Sequence, residues 1–338
     1  MVRHLLATAL AVGMAAIDVE ERRSIGSLPP HVAGAFDQIA ACHLTPSGGY
    51  LVFDRRGHAV STVTRGADVP KKIVQIGSET GHIILPTAFD SAPNGTFVVA
   101  DSPGGSAGNQ HRIQFFDDTG SDQGGFTLPG RSSVQITLDA MVLSGIGSLK
   151  YTGETVLVSQ PELGALVTEY QLNGVPRRTF GQLRQTGQEK DPAVHAALNA
   201  GLPLPNPRGG YYFVFASGVP MFRKYDAAGA LVFERHIQGP EVDQELRGLP
   251  TTWPRLARGE FPIVPAMIRA AAVDPAGNLW VSLNAPYTYV YDSAGDKRRT
   301  LQFRAAGIVA PTSFFFTRDG RVLISPGCFA FESLITNH

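Results

Sequence analysis

The chain has 338 residues, of which 43% are hydrophobic and only 17% charged, with 37 glycines and 24 prolines. That mix excludes long charged helices and points to many short strands joined by tight turns. Lys+Arg and Asp+Glu balance at 29 each, so no global field draws the protein to nucleic acid or to an anionic membrane. The two cysteines, Cys42 and Cys328, are too few for a disulfide scaffold or a Cys-rich zinc site.

Residues 1–16 read as a short export signal. Arg3 and His4 form a small basic start, an apolar run follows from Leu5 to Ala16, and small residues (Gly13, Ala15) stand at the cleavage positions. The run is about half of what a membrane-spanning helix needs, and no other stretch could span a bilayer. The competing reading is a buried N-terminal strand or helix. Taken as a signal, the segment implies a periplasmic or secreted protein, with residues 17–338 as one domain.

From there one pattern recurs six times: an apolar run, a glycine turn, then a run rich in β-branched and aromatic residues. The turn glycines are Gly49, Gly95, Gly153, Gly210, Gly277 and Gly320. Their spacings run from 43 residues (Gly277 to Gly320) to 67 (Gly210 to Gly277), which suits a four-stranded blade plus a connector. Glycine serves because a tight hairpin turn demands positive φ. A second turn follows five of the first ones, at Gly66, Gly120, Gly174, Gly229 and Gly295, leaving room for two more strands per unit. The runs before them, such as Arg112-Ile113-Gln114-Phe115-Phe116, alternate with period two and argue for strands. The sixth unit runs out after three strands. The unpartnered segment 17–25 is therefore expected to supply the outer strand of the last blade, closing a six-bladed, all-β propeller and covering exposed edges.

Two of these units carry a resemblance. Val98-Val99-Ala100-Asp101 with Arg112-Ile113-Gln114-Phe115-Phe116-Asp117-Asp118-Thr119-Gly120 resembles an NHL repeat. Ala272-Val273-Asp274-Pro275-Ala276-Gly277-Asn278-Leu279-Trp280-Val281 is similar to the front half of one. The whole resembles bacterial six-bladed propeller proteins, most of them without an assigned activity, so the resemblance implies a fold more than a function.

Two connectors exceed the rest. In 181–207, Asp191 as N-cap, Pro192 at N1 and Gly201 past the end mark a short helix. In 238–265, residues 241–247 make another helical turn or two before Trp253, Arg255 and Arg258. Both connectors lead into inner strands, so they define one face, and a ligand site is expected there beside blades three to five.

Arg269, just ahead of an inner-strand run, is placed at the channel mouth. Thr87 and Thr312 share its offset, and a cation flanked by hydroxyls suits an anionic ligand; the alternative is a solvated polar lining. Trp253 and Arg255 could add a stacking, charged rim or simply pin the insertion. Of the nine histidines, only His43 and His82 are read near inner-strand starts, at different offsets. No set of three metal ligands emerges, and a divalent ion on the channel axis is carried only as a candidate cofactor. Asp54 and Asp101, ending second strands, read as turn caps. The stretch 104–108 looks like a phosphate loop but does not open a helix. Cys42 and Cys328 should approach one another across the ring closure. They read first as two buried free thiols, with a disulfide as the alternative in an oxidising compartment.

Two functions remain open on these residues. One is a monomeric binding or scaffold propeller that presents its loop-rich face to a protein, peptide or glycan. The other is a metal-dependent hydrolase of lactone or ester type, or a lyase, working at the channel.

Overall fold

A computed structural model describes residues 19–64, 66, 69–103, 111–129, 134–138, 141–144, 147–255 and 260–333. The expected export signal, Arg258 and the glycine-rich stretch 104–108 lie outside them. The strands group into six blades, each a meander of antiparallel neighbours. Blade 1 comprises Ile39–Leu44, Tyr50–Asp54, Ala59–Val63 and Lys71–Val74. Blade 2 comprises Ala88–Ser91, Phe97–Asp101, Arg112–Phe116 and Asp122–Thr127. Blade 3 follows with Leu149–Tyr151, Thr155–Val158, Val167–Gln171 and Pro176–Phe180, and blade 4 with Gly201–Pro205, Tyr211–Phe215, Met221–Tyr225 and Leu231–His236. Blade 5 is Ile268–Val273, Leu279–Leu283, Thr288–Tyr291 and Lys297–Arg304; blade 6 has Ser313–Phe316, Arg321–Ser325 and Phe329–Glu332. The first strand of every blade touches that of the next, around the full circle.

The second strands look continuously apolar because a propeller blade has two buried faces, and period-two alternation sorts side chains between them. In blade 2, Phe97 and Val99 pack with Phe53 of blade 1. Val98 and Ala100 face the other way, into the core shared with Val156 and Val158 of blade 3. In blade 5, Leu279 and Val281 join Tyr212 and Val214 of blade 4, while Trp280 packs with Phe314 and Val322 of blade 6. Separate clusters fill the interfaces between blades 3 and 4 and between blades 6 and 1. Each large side chain so removed from water contributes on the order of 2–3 kcal/mol. A one-residue slip in any strand would exchange its two faces.

The turns follow from local chemistry. Gly95 and Gly277 sit at φ 91° and 89°, where a Cβ is strained. At the second, Asp274 accepts from the Asn278 amide at 2.9 Å, from Asn278 Nδ2 at 2.9 Å and from the buried Trp280 indole at 3.0 Å. One carboxylate thus fixes the turn and the rotamer of a core side chain.

Ring closure differs in detail from the sequence expectation. Val19–Arg23 lies parallel to Lys297–Arg304, outside blade 5, with Val19 opposite Thr300 and Arg23 opposite Arg304. Only the following residues reach blade 6: the Ile25 amide donates to Ala330 O at 2.8 Å and the Ala330 amide to Gly26 O at 2.7 Å. The placement of the strand is corrected accordingly. Ion pairs accompany the pairing, with Glu20 meeting Arg299 at 3.2 Å and Glu21 meeting Arg304 at 2.7 Å, whereas Phe329–Glu332 offers no arginine. A second fastening is covalent. Cys42 on the inner strand of blade 1 and Cys328 of blade 6 form a disulfide with their Cα atoms 5.5 Å apart. The pair is not two free thiols; both residues sit in the core between the first and last blades.

The helical insertions form as read: Pro192–Asn199 with Asp191 capping the Val194 amide, and Pro240–Arg247. A further four-residue helix, Pro30–Ala33, precedes blade 1. A small sheet was not expected. Gln135–Leu138 pairs with Met141–Ser144 and, in parallel, with Val264–Pro265. It joins the entry to blade 3 with the long connector before blade 5.

Candidate functional site

At the centre of the ring is a cavity of about 310 Å³. Gln38, Ser148 and Thr312 each stand immediately before an inner strand, and Leu202 and Arg269 are second residues of theirs; all five line it. The cavity therefore lies toward the face where inner strands begin, the side of the insertions. A smaller void of about 60 Å³ adjoins it beneath Gln135–Leu138, sharing Leu138, Ser148, Leu202 and Arg269. The polar lining comes mainly from blades 1, 2, 3, 5 and 6. Blade 4 contributes only Leu202, since Gly201–Pro205 carries no polar side chain.

Of the residues proposed from sequence, Arg269, Thr312 and His43 share this cavity. Arg269 Nε donates to Asn284 O at 3.2 Å. Close by, burial raises the Glu245 carboxyl above its ordinary range, partly offset by backbone and side-chain donors and by the Arg269 charge. His43 lies near the end of its strand rather than the start, and is buried. Its Nδ1 is 2.6 Å from Ser91 Oγ and its ring stacks on Phe315 at 4.4 Å. Burial holds the imidazole at about 4, well below its usual value, against the opposing pull of Asp90. A neutral imidazole of that kind is a poor general base at neutral pH.

The others lie elsewhere. Thr87 is turned into the blade, its Oγ1 3.5 Å from Ala100 O, and does not line the cavity. His82 belongs to the connector between blades 1 and 2. Its backbone carbonyl receives Arg112 Nη2 at 2.9 Å and Gln114 Nε2 at 2.8 Å, while its ring stands 3.5 Å from Glu79. Trp253 packs on the insertion helix with Val194, Leu198 and Val264, and Arg255 Nη2 pairs with the helix-capping Asp191 at 2.6 Å. These two pin the insertion. Trp253 also lines a separate outer groove of about 650 Å³ with Arg184, Arg223, His236 and Leu249.

Sequence reading missed Arg55, Arg56, Asp90 and Lys150, all of which line the central cavity. Asp54 caps the start of blade 1, accepting from the Asp37, Gln38 and Gly57 amides at 2.9, 2.8 and 2.9 Å. The chain therefore turns at the channel mouth and leaves Arg55 and Arg56 there. The available signal was topological: second strands end on the face where inner strands begin. Asp90 is buried and fully engaged, with Oδ1 3.3 Å from Lys150 Nζ and Oδ2 accepting from the Tyr151 amide at 2.9 Å.

This donor set does not fit a divalent ion on the axis. Asp90 is spent on Lys150, His43 on Ser91, and the remaining charges at the cavity are arginines. Among the described residues no three His, Cys, Asp or Glu side chains come together to hold a metal. The axial metal carried as a candidate has no seat in these residues. Among the described residues, no helix is long and apolar enough to cross a membrane.

No protein-family model matches the chain, and no curated protein matches it significantly. Solved structures do. A catalytically inactive virginiamycin B lyase from Staphylococcus aureus, solved with quinupristin, is 14% identical over 87% of this chain and 80% of that one, with a TM-score of 0.50. A streptogramin B lyase is 12% identical over 90% of this chain and 95% of that one, TM-score 0.49. A protein of unknown function from Bacteroides caccae is 12% identical over 78% and 81%, TM-score 0.45. At such identities the likeness concerns the propeller fold.

Proposed function

We propose that this is an exported, monomeric binding propeller that takes a protein, peptide or glycan ligand at the channel mouth on its insertion-bearing face. One observation carries the reading. The central cavity combines apolar wall with cations, while its His and Asp side chains are already committed to structural partners. That is the composition of a recognition pocket, a concave apolar surface with a few placed polar groups. Export is supported by the basic, then apolar, start of the sequence and by the disulfide, since such bonds persist in oxidising compartments.

The catalytic alternative, a metal-dependent hydrolase or a lyase, has His43 at the cavity in its favour. Against it stand the low proton affinity of that imidazole and the engaged Asp90. Peptide and glycan arrays probed with labelled protein test the binding reading. Ligands bound by the wild type should be lost on Thr312→Trp, which fills the cavity, at unchanged Tm, and kept on Trp253→Ala. An array with no ligand, or ligands indifferent to the plug, would overturn it.

A further inference from the structure

Half-buried arginines in this protein are matched to partners almost everywhere. Arg112 chelates Asp101 at 3.0 and 2.7 Å, Arg178 meets Glu169 at 2.6 Å, and Arg223 meets Glu234 at 2.6 Å. Arg184 has no carboxylate but gives its guanidinium to the carbonyls of Leu198, Ser217 and Val219, each at 2.7 Å. Arg55 breaks the pattern. Its Nε is buried without a hydrogen-bond partner. Its guanidinium lies 5.9 Å over the Phe53 ring, and among the described residues no carboxylate approaches it. Burial lowers its proton affinity to about 10, with no opposing acid. An uncompensated cation with its Nε shut away from water is costly to keep, and this half-buried one lines the central cavity beside the exposed Arg56. The cavity's single aspartate already serves Lys150 and the Tyr151 amide.

We infer that the counter-charge of Arg55 comes from the ligand: the channel mouth binds a carboxylate, with Arg55 and Arg56 holding the anion and an adjoining apolar group resting on the half-buried Phe89. The inference deepens the binding reading and rests on it. That apolar surface sets the second half of the specificity, since Phe89 lines the cavity and is held in place by its stack on the buried Phe53 at 5.2 Å. A bare inorganic anion would leave that ring wet. The volume of about 310 Å³ is at the small end for ligand sites and admits a chain end rather than a chain. A free amphipathic carboxylic acid and the C-terminus of a peptide with an apolar last residue present the same chemistry.

The probes are N-acetyl-phenylalanine and its neutral amide, titrated calorimetrically into the purified protein at fixed ionic strength. The acid should bind about tenfold or more tightly than the amide, as expected for a charge-assisted hydrogen bond in a shielded site. Arg55→Gln should abolish that preference with a Tm at or above wild type, because it removes a cation the fold does not use. Arg318→Gln, which makes the same charge change at the exposed turn before Gly320, should leave the preference intact. A tetrapeptide ending in phenylalanine, with free or amidated terminus, separates the two sources: tighter binding than N-acetyl-phenylalanine assigns the site to peptide ends, equal binding to the free acid. If acid and amide bind equally and Thr312→Trp removes both, the charge inference falls while the channel reading stands. If neither binds, the charge inference falls and the arrays alone decide the channel reading; if binding survives that plug, both fall.

Discussion

Arg184 in the outer groove and Arg55 at the channel mouth share an environment but not their partners. Each is a partly buried arginine lying over a phenylalanine ring, Arg184 at 4.2 Å over Phe215 and Arg55 at 5.9 Å over Phe53. Burial lowers the proton affinity of both to about 10. Yet Arg184 ties the insertion helix end (Leu198) to the blade 4 hairpin (Ser217, Val219) through carbonyls, whereas Arg55 ties nothing. Burial and cation–π contact do not by themselves distinguish a structural cation from a ligand-binding one. The hydrogen-bond account does.

Four measurements would break or sharpen that contrast. The largest effect should come from the wall that carries Arg55. Converting Cys42 and Cys328 together to Ala should lower unfolding stability by about 4 kcal/mol in denaturant titrations, because the bond closes a loop with a sequence separation of 286. Reductant should do the same to the wild type, and an indifferent protein would show that the ring is held by packing alone. Arg184→Ala should come next, costing about 3 kcal/mol by leaving three carbonyls without their donor. A cost near that of an exposed residue would erase the distinction drawn here.

The third concerns His43, which lines the same cavity as Arg55. Below pH 6.5 the unfolded chain takes up a proton at this residue that the folded protein refuses until about pH 4. Stability should therefore fall as pH drops through that window, by up to about 3 kcal/mol, and change no further from this group below it. Comparing wild type with His43→Gln across pH 3.5–7.5 isolates the effect; parallel curves would show that His43 takes up its proton at the same pH folded and unfolded. The smallest is Arg55→Gln without ligand, expected at zero to about +1 kcal/mol by thermal melts. A clear loss of stability would mean that Arg55 has a structural role after all.

Much of this was legible in one dimension. Blade number, turn positions and the insertion helices follow from local rules: glycine where φ is positive, Asp191-Pro192 at a helix start, alternation between two buried faces. Arg269, Thr312 and His43 could be placed at the central cavity because they lie on or beside inner strands whose positions the repeat defines. Thr87 and His82 were misplaced because an offset from a turn glycine gives position along a strand, not the direction of a side chain. Just before Ala88–Ser91, Thr87 turns into the blade, while the His82 carbonyl serves Arg112 and Gln114 in the connector between blades 1 and 2.

What the amino-acid order settled alone was periodic and local, because strand alternation and turn geometry are decided within a few residues. Which residue completes which partner was settled across the ring. Cys42 finds Cys328, Glu20 and Glu21 find Arg299 and Arg304 rather than the last blade, and Arg55 finds no acid among the described residues. Such pairings depend on distances that only closure of the circle creates, and the electrostatic character of the channel mouth depends on them in turn.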